Sequence, residues 1–410
     1  MAIPDSKKVL IAGASIAGPT LAFWLAKYGF TVTVVERSKT LRLGGQNIDV
    51  NGPAKQIAQK MRIEAAIRAA NTGEVGLQLI GQNEQAIASF PKEGSISGTQ
   101  ELEILRGDLV NILYEATKQN VEYRFGDSIT NLEQHPNEVT VTFSSGKKET
   151  FQLVVAADGV RSSTRRLVFG DEPKFEYLGL YTAYLTIPRI KTDTNWWRWY
   201  TATDRRIVML RPDNQGTMRA SVAFLESDEA YEKLSLAEQK SVLKSKLVGA
   251  GWEADRISNA LDDSVDVYFD KIGQIKAPSW SSGRMAMIGD AAYCPTPLTG
   301  KGTTLAMVGA YLLAGELSQH ERHQDAFVAY EQRMRPYVEE VQKLPPGVPW
   351  LVYPRTRFGV SVLNTVAGII ASKPVQKLFS LFTSTKTEDE SKAEGIVLPD
   401  YVYTHAAESS

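Results

Sequence analysis

The chain has 410 residues, 43% of them hydrophobic and 23% charged, and a formal net charge of -1. That balance gives no global electrostatic case for nucleic acid or anionic lipid as a partner, and a chain this long can bury two or three domain-sized cores. A single cysteine, Cys294, excludes an intrachain disulfide and fits a reducing, cytoplasmic setting.

Near the start, Lys7 and Lys8 precede VLIAGASIAGPTLAFWLA, a run that imitates a signal peptide or membrane span. Gly13, Gly18 and Pro19 inside it, and the β-rich FTVTVVER after it, fit a strand, a tight turn and a buried helix instead. Strands are predicted over residues 9–12 and 31–36 with a helix over 16–28 between them, a right-handed parallel βαβ unit. In its turn, GASIAG reads Gly13-x-Ser15-x-x-Gly18. Gly13 permits the turn, small Ser15 lets the backbone approach a pyrophosphate, and Gly18 lets helix and strand pack closely. Unpaired N–H groups from Ala14, Ile16 and Ala17 onward favour phosphate. Glu36, followed by Arg37, ends the second strand and is placed to accept hydrogen bonds from a ribose.

Amphipathic helices are predicted over 54–70 and 107–119, then a hairpin turning at Ser145-Gly146 and an apolar strand over 153–157. After about Glu172 the texture changes to alternating segments, LYTAYLTI, WWRWYTAT, RIVMLRP and MRASVAF. These predict a mostly antiparallel sheet with aromatics gathered on one face. Helical sequence over 235–260 follows, and the α/β pattern resumes at Gly283 with a strand over 285–288, the loop GDAAYCPTPLTGKG and a helix over 303–317. Further on, FGVSVLNTVAGIIAS predicts a packed helix too short to span a bilayer, and TKTEDESKAEG a linker or helix end.

Imidazole and metal chemistry have no visible apparatus. A nucleophile elbow needs G-x-S-x-G, whereas Gly18 comes one residue late, and the nearest histidine is His135. His320, His323 and His405 lie far from any motif, and no cluster has zinc spacing. A nucleotide-binding chain so poor in acid–base groups leaves the chemistry to its cofactor.

Three segments together resemble the class A FAD-dependent aromatic hydroxylases of the p-hydroxybenzoate hydroxylase type. They are GASIAG with Glu36; AADGVRSSTR, carrying D-G-x-x-S-x-x-R through Asp158, Gly159, Ser162 and Arg165; and GDAAYCPTPLTGKG, matching G-D-A-A-H/Y-x-x-x-P-x-x-G-x-G. RLGGQNIDV is most similar to the tetracycline-inactivating flavin monooxygenases. The implied fold is α/β. It comprises a Rossmann-like FAD-binding domain over 1–172 and 275–345, an inserted mostly antiparallel β-sheet substrate domain over 173–274, and a C-terminal helical segment and tail over 346–410. By the same resemblance, the part from 348 to 382 caps the substrate pocket.

The implied activity is a monooxygenase cycle in which NADPH or NADH reduces bound FAD, O2 adds at flavin C4a, and the resulting hydroperoxide hydroxylates a small aromatic or polyketide. Asp290, beside Gly289, then hydrogen-bonds the ribityl chain, and Pro297, Gly300, Lys301, Gly302 and Thr303 lay backbone against the pyrimidine ring. Arg106 contacts the pyrophosphate and ribityl region, and Asp158 and Arg165 lie between the FAD and the nicotinamide path. Arg42 contacts NADPH, and Asp49 lies near the flavin. Thr304 departs from the family, which often has Asn there, and Lys301 stands where Gln is common. Arg161 and Arg166 are read as a solvated face. Tyr184, Trp197, Trp199 and Met209 are candidate substrate contacts in a flat, apolar pocket, and Cys294 a small buried residue.

The alternatives are an FAD-dependent dehydrogenase or halogenase, although WWRWYT lacks the halogenase W-x-W-x-I-P motif, or a non-catalytic protein that sequesters an aromatic ligand. No metal, nucleic-acid or membrane partner is expected, and the chain is expected to be a monomer or homodimer.

Overall fold

A computed structural model describes residues 7–92, 102–227, 229, 231–372 and 395–401. The predicted βαβ unit is present: Lys8–Ala12 pairs in parallel with Thr31–Glu36, and Ala17–Lys27 is the helix between them. These two strands lie inside a sheet ordered Ser281–Ser282, Met285–Met287, Leu153–Ala156, Lys8–Ala12, Thr31–Glu36, Glu122–Phe125. Their residues are apolar or β-branched because both faces are covered. On one face lie Ala17–Lys27 and Gly302–Gln319; the latter is apolar all round and buried along almost its whole length. On the other, a small antiparallel sheet buries Val139, Val141 and Phe143 against Leu10, Ala12 and Val35.

A second, larger sheet is ordered Tyr268–Lys276, Lys174–Pro188, Thr217–Leu225, Arg206–Pro212, Trp197–Ala202, Gly76–Ile80, Ala86–Pro91. It is antiparallel except where Trp197–Ala202 meets Gly76–Ile80. Tyr181, Leu185, Val208, Val222 and Phe224 fill one face under the helices Leu236–Leu247 and Ala254–Asp263. The opposite face carries Leu180, Ile207, Ala223 and Leu225 against Tyr353, with Leu298 packed on them.

The structure differs from expectation in four places. First, two strands of the larger sheet come from residues 76–91, outside the 173–274 segment, so the nucleotide-binding part and the sheet are interleaved in sequence. Second, residues 54–70 form two helices, Pro53–Lys60 and Glu64–Ala69. Arg62 adopts φ +60°, Arg62 N–H donates to Gln59 O and Ile63 N–H to Ala58 O, so a Schellman turn ends the first helix without a glycine to announce it. Third, the C-terminal part is more than a helix and tail. Arg357–Ile370 packs on Ala88 and Phe90, whereas Ile396, Leu398 and Tyr401 return to the nucleotide-binding core. Most of the expected linker, and the expected cap beyond Ser372, lie outside the described residues. Fourth, Arg161 is exposed as expected, at 62% of its side chain, but it also forms an ion pair with buried Asp270, joining the Asp158 loop to the larger sheet.

Candidate functional site

The glycine turn is as tight as its spacing predicts. Gly13 has φ +110°, and a Cβ there would lie 2.5 Å from Ala157 O; one at Gly18 would lie 1.9 Å from Gly13 O. The helix that starts at Ala17 has no side-chain cap and no acid in its first turn. Its orphan N–H groups and positive end therefore face outward without a competing anion. Glu36 Oε2 accepts the Ala14 N–H at 3.0 Å and Oε1 accepts the Ser38 N–H at 3.0 Å, which fixes the carboxylate at the end of its strand. A carboxylate accepts about four hydrogen bonds in all, so capacity remains for a ribose. Arg37 is exposed at the rim.

Arg106 reaches the same turn from the start of the helix Arg106–Glu115. Its Nη1 donates to Ser15 Oγ at 3.0 Å, and Nε and Nη2 donate to Gly44 O at 3.1 and 2.6 Å. Burial and then the neighbouring Arg42 pull its guanidinium down to about 10, so it remains charged and gains from any anion placed beside it. Arg42 is exposed, with its backbone carbonyl held by Arg106.

Asp158 is a local fastener. Its carboxylate accepts the Ser162 hydroxyl and both the N–H and the hydroxyl of Thr164, at 3.2 and 3.0 Å for the latter pair. Ser162 caps the next helix by accepting the Arg165 N–H at 2.8 Å. Arg165, 8% exposed, donates from Nη1 to Ala291 O at 2.8 Å. The second and third sequence motifs, far apart in the chain, are thus joined by one buried guanidinium.

Asp290 opens the short helix Asp290–Tyr293. Its side chain is accessible to solvent although protein packs around it on all sides, so it lines an internal cleft. Burial pushes its carboxyl up to about 6, and the Cys294 thiol is its neighbour. Cys294 is 8% exposed and burial holds its thiol well above the ordinary range, so it is the inert small residue expected. Beyond it the loop is shaped by its backbone. Thr296, 1% exposed, sits at φ +83°, a conformation costly for a β-branched residue and kept only where its surroundings impose it. Thr299 Oγ1 donates to Thr296 O at 3.0 Å, and Gly300 takes φ +64°. A methyl group at Gly300 or Gly302 would meet nothing within 4 Å. Lys301 and Thr304 both point hydrogens at Asn51 Oδ1, and Thr303 is buried in the first turn.

The four candidate substrate contacts share one face of the larger sheet. Directly opposed neighbours run Tyr268, Tyr184, Ser221, Met209, Trp199, Leu79 across it. Trp197 lies two residues from Trp199 on the same strand and therefore on the same face, with ring centroids 5.7 Å apart. Trp199 and Met209 pack in the cluster that contains Tyr353 and, from the loop over residues 289–302, Leu298. Helix Arg357–Ile370 lies on this face at its far end through Ala367, Leu77 and Leu79. Tyr268 and Ser221 were missed in the sequence because only the strand register brings them into that row, and Tyr353 because it reaches the face from the distant segment after Trp350–Val352.

A buried charge cluster, also missed, sits at the edge of this face. Arg211 stacks over Trp197 at 4.3 Å and donates from Nε and Nη2 to the two oxygens of Glu74 at 2.8 and 3.0 Å, while Glu103 Oε1 lies 3.1 Å from Nη2. Glu103 is paired across strands with Asp49, which brings that predicted acid into the cluster. Burial pushes Glu74 up to about 8 despite Arg211. A folded value above the unfolded one gives stability that is full below the unfolded value and lost as pH rises through about 8. Glu74→Gln should therefore flatten the decline of the unfolding free energy between about pH 5 and 8, by at most about 1.4 kcal/mol for each pH unit, and with it the fall in Tm. Parallel melts of both proteins that fall equally would contradict this.

These features fit FAD: a glycine turn that only backbone can approach, the cationic Arg106 beside it, an acid lining an internal cleft, and open space in front of Gly300 and Gly302. Among the described residues no group of His, Cys, Asp and Glu is arranged to hold a metal ion, and no helix is long and apolar enough to cross a membrane. The family model described as FAD binding domain matches residues 6–344. A flavin-dependent monooxygenase from an unknown prokaryotic organism is 38% identical over 346 residues, covering 83% of this chain and 89% of the relative. The flavin-dependent monooxygenase eupH of Phoma sp is 35% identical, covering 97% of this chain and 98% of its own. The crystal structure of tetracycline destructase Tet(55) superposes with a TM-score of 0.80 at 33% identity, covering 97% of this chain and 100% of that one.

Proposed function

The chain belongs to the FAD binding domain family and is an FAD-dependent monooxygenase, and from that premise we propose that it hydroxylates a flat aromatic or polyketide small molecule held on the larger sheet. The observation that carries the substrate class is the row Tyr184, Met209, Trp199 facing Leu298 of the cofactor loop. When bound, FAD would supply the redox chemistry, with NADPH or NADH as reductant and O2 as oxidant.

The protein's own contribution is binding, orientation and exclusion of water. The glycine turn, Glu36 and Arg106 hold the nucleotide half, and Asp290 holds the ribityl chain. Residues 297–302 would meet the pyrimidine edge through their backbone, and the start of helix Gly302–Gln319 would favour negative charge there. Trp199, Met209 and Tyr184 orient a planar ring beneath the loop, while Leu298 and Tyr353 keep the space between dry. Tyr184 stays a neutral phenol, because burial raises it above its ordinary value, and so serves as a hydrogen-bond donor or acceptor rather than a base. Tetracyclines belong in the first test because of the likeness to Tet(55), although the apolar lining favours a less polar ring system.

The test follows NADPH and NADH oxidation and product mass with phenols, quinones and tetracyclines. A gain of one oxygen atom on one class is expected. Trp199→Ala should raise KM for that substrate about tenfold with kcat less affected, since it removes ground-state ring contact. NADPH consumption without any oxygenated product from the panel, or a protein unable to take up FAD, would refute the reading.

A further inference from the structure

We infer that Asn51 is a cofactor-binding residue whose side-chain N–H groups donate to the pyrimidine end of FAD lying against residues 297–302. The inference rests on the cofactor placement proposed above. Asn51 follows the strand Asn47–Asp49, and its carbonyl accepts the Ala54 N–H at 3.0 Å, so its backbone is anchored at the start of the helix Pro53–Lys60. Its side chain crosses to the other wall of the cleft. Thr304 Oγ1 donates to Asn51 Oδ1 at 3.1 Å and Lys301 Nζ donates to the same oxygen at 3.5 Å.

Lysine has no acceptor, so it is the amide oxygen and not the nitrogen that faces it. The orientation of the amide is therefore set, and Nδ2 points away from both partners. Among the described residues neither of its N–H groups has a hydrogen-bond acceptor, and Asn51 is only half-buried. An amide held from two sides with its donors unspent is prepared for a ligand acceptor. The flavin pyrimidine offers carbonyl oxygens and ring nitrogens, and reduction adds negative charge there, which such donors favour. Lys301, just before helix Gly302–Gln319, and Thr304, in its first turn, are also two positions that depart from the resembled pattern, and both converge on Asn51.

The test measures FAD affinity of the apo-protein by fluorescence and the midpoint potential of the bound flavin. Asn51→Ala should weaken FAD about tenfold, the loss of one or two neutral hydrogen bonds, and lower the potential, because the reduced form loses more. Asn51→Asp, nearly the same shape without donors, should show a larger fall in both. Thr304→Val should give a smaller loss, and the double variant Asn51→Ala/Thr304→Val should be no worse than Asn51→Ala, since Thr304 acts through the amide. Wild-type affinity and potential in Asn51→Ala, or additive losses in the double variant, would overturn the assignment of Asn51 alone. A wild-type protein with no affinity for FAD would overturn the cofactor reading with it.

Discussion

An Asp290→Ala variant is expected to fold but to purify largely colourless, binding added FAD about ten- to a hundredfold more weakly than the wild type. Asp290 lines an internal cleft, and among the described residues its side-chain partner is the thiol of Cys294, so its removal breaks no wider hydrogen-bond network there. What is lost is the charge-assisted hydrogen bond proposed to the ribityl chain, worth about 1.5–3 kcal/mol. The fold should not suffer. Burial raises this carboxyl to about 6, so its contribution to stability falls away as pH rises through that value. At pH 8 the apo-variant should melt no lower than the apo-wild type. Retention of flavin at the wild-type level would remove Asp290 from the site, whereas a lower apo-Tm would assign it a structural role.

The second large effect is Gly18→Ala, expected to abolish FAD uptake at micromolar concentrations and to lower stability by about 3 kcal/mol, the upper end for overpacking. The added methyl carbon would lie 1.9 Å from Gly13 O and 3.4 Å from Ile11 Cγ2. The first of these is backbone, so no rotamer change relieves it and helix Ala17–Lys27 must move off the turn. That shift carries away the N–H groups meant for the pyrophosphate. Gly300→Ala is the control for stability alone: its methyl meets nothing of the protein and only the φ of +64° is strained, so its melting temperature should fall less than that of Gly18→Ala. If Gly18→Ala binds FAD normally, the close contact between helix and turn is dispensable.

Both variants touch residues that were legible from sequence. Gly13, Gly18 and Glu36 could be assigned because a βαβ turn is local: its requirements fall within one strand, one turn and one helix, and the residue types report them directly. The aromatic face was legible for the same kind of reason, since alternation puts Trp197 and Trp199 on one side of a strand whatever its neighbours are. By contrast, Arg62 ends a helix in the middle of an unbroken amphipathic pattern, and the Schellman turn there uses no glycine.

Sequence alone determined that a dinucleotide binds, the turn that receives it, and which strand faces are aromatic, because these depend on short-range periodicity and on residue types with few structural alternatives; FAD in particular was implied by the resemblance of three motifs to a known family. Only the tertiary structure decided which distant groups meet. Arg165 reaches Ala291, Arg161 reaches Asp270, Glu74 and Glu103 share Arg211, and Asn51 is turned by Lys301 and Thr304. Strand order and register set those encounters, and they are fixed by long-range packing of whole sheets, which leaves no periodic trace in the residues themselves.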